Sequence, residues 1–156
     1  LWQYHAWPEG FAEMARLLSD RFGLVEIPKA SRAAATGSGA LLRIHPQRLW
    51  FVASGEGVHE TALTANTLPP QIGVALDLSH ARTLIHVADA IAQPLLTRFV
   101  TVDLRPQHFP PDAVALTSLH RVGVVLWRRS DGIDILAPTS FAVSIWDALS
   151  ETAERL

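Results

Sequence analysis

The chain has 156 residues, 49% of them hydrophobic and 18% charged, with 13 basic against 15 acidic side chains and no cysteine. This balance leaves no basic stretch to neutralise a nucleic-acid backbone, and it excludes a disulfide framework, a thiolate nucleophile and cysteine-bound zinc or iron–sulfur clusters. No apolar run nears the roughly 20 residues of a bilayer-crossing helix, and the first residues lack the basic-then-apolar order of a leader, so a cytoplasmic location is the expectation.

Trp7-Pro8 opens a first helix, because proline is tolerated in a first turn. Phe11, Ala15, Leu18 and Phe22 follow at helical spacing, and Gly23 closes the run as a left-handed cap. Ala30–Ala40 is small and polar around Gly37-Ser38-Gly39 and reads as a loop; no Gly-Lys-Ser/Thr follows to make it a phosphate cradle. Leu41–Ile44 and Leu49–Ala53 read as strands around a turn at His45-Pro46-Gln47-Arg48, where Pro46 cannot donate to a ladder. Gly57–Leu68 reads as a short helix stopped by Pro69-Pro70. Ile72–Leu78 and Thr83–Val87 then read as a central strand pair around a polar corner of Asp77, Ser79, His80 and Arg82.

Asp89 is placed to cap a helix with Ile91, Leu95 and Phe99 inward, and Pro94 predicts a kink or a late start. Beyond Pro106, Pro110 and Pro111, the segments Ala113–Leu119, Arg121–Trp127 and Ile133–Ala137 read as strands. The last two are joined through Arg129-Ser130-Asp131-Gly132. The clearest helix ends the chain: Thr139 or Ser140 caps it, and Phe141, Ile145, Leu149 and Ala153 form one row beside Trp146. The sum is an α+β fold of mainly antiparallel sheet with helices packed on it. No internal repeat is evident. A single domain spans the chain, divisible into subdomains at roughly 1–70 and 71–156.

Few residues invite a chemical reading. His80 beside Asp77 and Ser79 suggests a catalytic triad, but successive strand residues face opposite sides, and a polar turn accounts for the same residues. The seven histidines show no helical pair with a carboxylate between, so scattered, individually satisfied rings are favoured over a metal site. His59-Glu60 suits a helix start, Arg128-Arg129 suits a solvated turn with an anion contact as the alternative, and Gly55-Glu56-Gly57 lacks the third glycine of a dinucleotide loop. Trp50, Trp127 and Trp146 are the apolar anchors. Core packing is favoured for Trp50 and Trp146, and core and interface are balanced for Trp127.

From about Leu41 to Leu156 five motifs occur in order. They are Leu42-Arg43-Ile44-His45-Pro46-Gln47-Arg48-Leu49-Trp50; Val74 with Asp77-Leu78-Ser79-His80 and Arg82; Leu95-Leu96 with Asp103-Leu104; Phe109-Pro110 with Ala115-Leu116-Thr117; and Ser140-Phe141-Ala142 with Ser144, Trp146-Asp147 and Leu149. On these the chain resembles the gamma subunit of heterotetrameric sarcosine oxidase. It departs from that family at Asp89-Ala90, Phe99 and Thr139.

The resemblance implies ferredoxin-like units and a fold similar to the folate-binding aminomethyltransferases (glycine-cleavage T protein). It implies a non-catalytic, assembly role in an oxidoreductase complex that demethylates sarcosine to glycine and hydrogen peroxide and passes the one-carbon unit to tetrahydrofolate. FAD, FMN and NAD are implied for the alpha and beta subunits and zinc for the delta subunit, with no cofactor on this chain. Asp77, Ser79, His80, Arg82, Asp103, Ser140, Phe141 and Trp146 are the family-motif residues, implied to be structural. Two other functions stay open: a stand-alone folate binder of aminomethyltransferase type, with Asp77 or Asp103 as its acidic group, and a small regulatory binding module.

Overall fold

The computed structural model describes residues 1–54 and 68–156, which fall into two units, Leu1–Ser79 and His80–Leu156. In the first, Trp2-Gln3-Tyr4-His5-Ala6 alternates apolar and polar side chains and forms strand β1 (Trp2–Ala6), with Tyr4 and Ala6 buried. The sequence reading places no strand there. Helix α1 (Phe11–Phe22) starts later than the predicted opening at Trp7-Pro8, with Gly10 at its N-cap. Of the predicted stripe Leu18 and Phe22 are buried and Phe11 and Ala15 half-buried, and Met14 is buried as well. Gly23 takes φ 66° with its N–H donating to the Ser19 carbonyl.

The stretch read as a loop over Ala30–Ala40 instead holds a hairpin. Strand β2 (Ala33–Thr36) turns through Gly37-Ser38 into β3 (Gly39–His45). Alanine is a weak strand former, so β2 exists through its pairing with β3 and its sequence gives no local signal. Gly39 is required by close approach, since a Cβ there would lie 2.1 Å from the Val52 carbonyl oxygen. Strand β4 (Arg48–Ala53) follows the Pro46-Gln47 turn, and β5 (Gly73–Asp77) completes an antiparallel sheet of order β2-β3-β4-β1-β5. Tyr4, Met14, Leu18, Phe22, Leu41 and Phe51 belong to one core cluster. Within it Phe22 and Phe51 stack at 4.4 Å, a geometry that contributes about 0.5–1.5 kcal/mol beyond area burial. The helix predicted over Gly57–Leu68 lies outside the described residues except for Leu68, which is buried.

The second unit runs β6 (Arg82–Ala88), α2 (Asp89–Leu96), β7 (Val114–Leu119), β8 (Val122–Arg128), β9 (Gly132–Pro138) and α3 (Ala142–Ala153). Its antiparallel sheet has the order β6-β9-β8-β7, and Ile85, Val87, Leu126, Ile133 and Ile135 share a core with Leu95, Leu96, Ile145 and Leu149 from the helices. The α+β reading, with antiparallel sheet and helices packed on it, is borne out. Three local readings are corrected. β5 and β6 form where the apolar runs predict, but they lie in different sheets, so 78–81 connects two units and is not a hairpin turn. Apolar periodicity identifies a strand and says nothing of its partner. Asp89 does not cap α2; Ala88 holds the N-cap position, and the Asp89 carboxylate lies 2.7 Å from Arg128 Nη2. Thr139 and Ser140 do not cap α3, because Thr139–Phe141 form a 3₁₀ turn and Phe141 holds the cap position without a side-chain bond.

The two units repeat one connectivity that the sequence does not display. Each runs strand, helix, strand, strand, strand, and in each the first strand pairs with the fourth: β1 with β4, and β6 with β9. The first unit differs in adding β5 outside β1.

The β7–β8 hairpin turns on His120 and Arg121, both at positive φ (46° and 71°), where asparagine and glycine are the usual occupants. His120 is held by Phe99, whose ring it meets edge-on at 4.9 Å. Arg121→Gly relieves the left-handed strain of about 1–2 kcal/mol, less the roughly 0.5–1 kcal/mol of extra chain entropy that glycine loses. The variant is therefore expected to be more stable by about 0.5–1 kcal/mol, read as a raised urea midpoint with unchanged slope.

Candidate functional site

The motif residues of the corner serve the turn. Asp77 Oδ1 accepts from the Ser79 backbone N–H at 2.9 Å and from the Ser79 hydroxyl at 2.6 Å. A hydroxyl that donates to a carboxylate is not delivering its proton to a histidine base, so this is turn geometry and not a nucleophile. His80 is exposed, and Arg82 opens β6 half-buried, where burial pushes its guanidinium pKa down. Asp103 is gripped by Arg105, which donates through Nε at 2.9 Å and Nη2 at 2.5 Å and through its backbone N–H at 3.1 Å. These bonds hold the Asp103 carboxyl at about 2, with His108 3.8 Å away. Ser140 and Phe141 stand exposed at the start of α3. Among the described residues, no group of three or more His, Asp or Glu side chains could hold a metal ion.

Sequence reasoning misses the most constrained charge in the second unit. Asp134, 2% exposed, sits in the middle of β9, where Gly132 through Ala137 are all buried. Its Oδ1 lies 2.6 Å from His86 Nδ1 on the neighbouring strand, directly opposite in register, and its Oδ2 accepts from Arg129 Nη1 at 3.2 Å. Arg129 also lies over the Trp127 ring, 4.3 Å from its centroid. The solvated reading of Arg128-Arg129 is replaced for Arg128, largely buried against Asp89, and holds for Arg129, which is exposed while it bonds Asp134; both make the anion contact that was the alternative. The available signal was an acid within an apolar strand, two residues beyond a turn that follows two arginines; such an acid needs partners.

The tryptophans divide. Trp50 is buried with its Nε1 donating to Gln3 at 2.9 Å, and Trp127 is buried under Arg129. Trp146 is 58% exposed, against the core reading, because Ile145 and Leu149 take the inward row of α3. It stands between two hollows of about 270 and 530 Å³ that follow β6. The first takes in Ile85 to Ala88 with Ile91 and Leu95, the second Thr83 to His86 with Ala142 and Val143. Neither is lined by a Lys, Arg, Asp or Glu. Such a surface offers apolar contact and no reactive convergence.

Two measurements check these placements. Asp134→Asn removes two charge-assisted bonds but leaves His86 and Arg129 partly solvated, so a loss of about 2 kcal/mol in urea unfolding is expected. For Asp103 the folded value lies below the ordinary one of 3.8. The linked stability is therefore present at neutral pH and disappears as pH falls through about 2. Carboxyl NMR titration should show that low midpoint, and Arg105→Gln should return it towards 3.8.

No protein-family profile matches the chain. It is 28% identical over 151 residues to the sarcosine oxidase subunit gamma of Corynebacterium sp. (strain P-1), covering 94% of this chain and 72% of that protein. Its fold matches a chain of the heterotetrameric sarcosine oxidase from Corynebacterium sp. U-96, solved in complex with pyrrole 2-carboxylate. The TM-score is 0.76 and the identity 27%, over 96% of this chain and 78% of that one. In sequence the chain is thus similar to a sarcosine oxidase subunit gamma, and in fold to a chain of heterotetrameric sarcosine oxidase.

Proposed function

We propose that the chain is a non-catalytic assembly subunit, of gamma type, in a sarcosine-oxidase-like complex. The observation that carries this reading is the similarity over 94% of the chain to a sarcosine oxidase subunit gamma. The side chains agree with it: Asp77, Ser79 and Asp103 are committed to local bonds, Asp134 is locked between His86 and Arg129, and the hollows beside β6 are apolar. In the reaction of such a complex, sarcosine is oxidatively demethylated to glycine and the one-carbon unit passes to tetrahydrofolate. FAD, FMN, NAD and zinc then belong to the alpha, beta and delta partners in the cytoplasm. The family-motif residues, from Asp77 to Trp146, shape this subunit and do not touch substrate.

The test is copurification. A tagged chain coexpressed with the alpha, beta and delta subunits of its own host is expected to bring flavin absorbance with it through gel filtration. A chain that elutes free of flavin under those conditions refutes the reading. Calorimetric titration of the isolated chain with tetrahydrofolate is expected to give no heat of binding, and saturable binding would favour the stand-alone folate protein.

A further inference from the structure

Strand β6 is an edge of its sheet: β9 pairs with one side of it, and among the described residues no strand pairs with the other. Proteins blunt exposed edges with lysine, proline, inward charges or brevity. β6 has seven residues, Arg-Thr-Leu-Ile-His-Val-Ala, with no proline or lysine and its only fixed charge at the first position. The apolar groups beside it are left in water as well: Leu84 is 44% exposed, Val143 73% and Trp146 58%.

We infer that β6 is the docking edge for an extended segment of a partner subunit, which adds to the sheet as a further strand. This rests on the subunit reading above and names the surface that reading requires. The backbone selects the occupant's conformation, because the outward N–H and C=O groups of β6 are satisfied by a strand and not by a helix. Spacing selects its side chains. The hollows begin at Thr83 and Ile85, two residues apart along β6, and share Ile85, His86 and Trp146. Two residues is the interval at which a strand returns side chains to one face. The segment therefore carries apolar side chains at alternate positions, one entering each hollow with Trp146 between them. Charge agrees, since no Lys, Arg, Asp or Glu lines either hollow and an acidic or basic peptide would lose its hydration without a partner.

The experiment uses the tagged chain coexpressed with its host's alpha, beta and delta subunits. Trp146→Glu and Leu84→Lys are each expected to lower copurifying flavin by at least about tenfold, as loss of an interface anchor does. Both residues are exposed, so the isolated variants should keep the wild-type circular dichroism. Leu116→Lys, at a more exposed leucine (58%) on β7, is expected to retain the complex. In hydrogen exchange, peptides covering 82–88 should slow in the complex relative to the free chain. If the wild type brings down flavin and Trp146→Glu and Leu84→Lys do so equally, or if exchange over 82–88 is unchanged, the docking edge is wrong and the subunit reading stands. Loss of the complex with Leu116→Lys as well would overturn the assignment to β6. Self-association of the free chain that these substitutions abolish would replace the partner segment with a second copy. A wild-type chain that captures no flavin ends both proposals.

Discussion

A carboxylate in the middle of a buried strand constrains the second unit more than any other group. Asp134 cannot keep a hydration shell on β9, and an ionised acid left there without partners would cost several kcal/mol, on the order of a domain's whole margin. His86 and Arg129 resolve this from two directions, the edge strand and the turn that leads into β9. The bond to His86 also fixes register. A slip of one residue between β6 and β9 would send His86 to the helix side and turn Ile85 and Val87 out to water. Gly132 completes the fit: a Cβ there would come within 2.2 Å of the Val87 carbonyl oxygen and 2.8 Å of the His86 ring. The orientation of β6, and with it the hollows around Trp146, follows from how one acid is satisfied.

What the sequence reveals and what it hides divide along local and non-local lines. The body of α1 with its Gly23 cap, β3 and β4 around Pro46, the turn at Asp131-Gly132 and the body of α3 are written in neighbouring residues, and they form where those residues say. β2 is a run of alanines that becomes a strand because β3 lies beside it. β1 shows alternation over five residues only, yet it sits between β4 and β5 because both pair with it. The separation of β5 from β6 is a choice of partner, which no local pattern encodes. The site divides the same way. The turn at Asp77 and Ser79 is a bond across two residues and could be read, whereas the bond of His86 to Asp134 joins residues 48 apart.

The repeated connectivity shows why a structural duplication can leave no trace in sequence. Tyr4 and Ala6 occupy in β1 the inward places that Ile85 and Val87 occupy in β6. A core asks for apolar volume and for alternation, not for particular residues, so paired positions can drift while the order of strands persists. Polar devices drift further. Asp134 on β9 is met by His86 from β6, while the corresponding β4 and β1 carry Trp50 bonded to Gln3. Each unit thus ties its first strand to its fourth with a side-chain bond across the sheet, built from different chemistry.

Trp146 brings the apolar composition and the fold into one account. α3 has enough inward surface to bury Ile145 and Leu149, and a large aromatic one residue off that row adds nothing to the core. Leaving it in water forgoes the stabilisation that burial of such a ring gives, on the order of 1.5–3 kcal/mol for a large apolar side chain. Of the ten large apolar residues left exposed among those described, Leu84, Ile91, Val143 and Trp146 line the hollows beside β6. Exposed apolar residues scattered singly need no explanation, but four collected beside one edge strand do. Beside that strand, apolar groups left in water adjoin an edge that no second strand pairs with among the described residues, which is the combination that an added strand would cover.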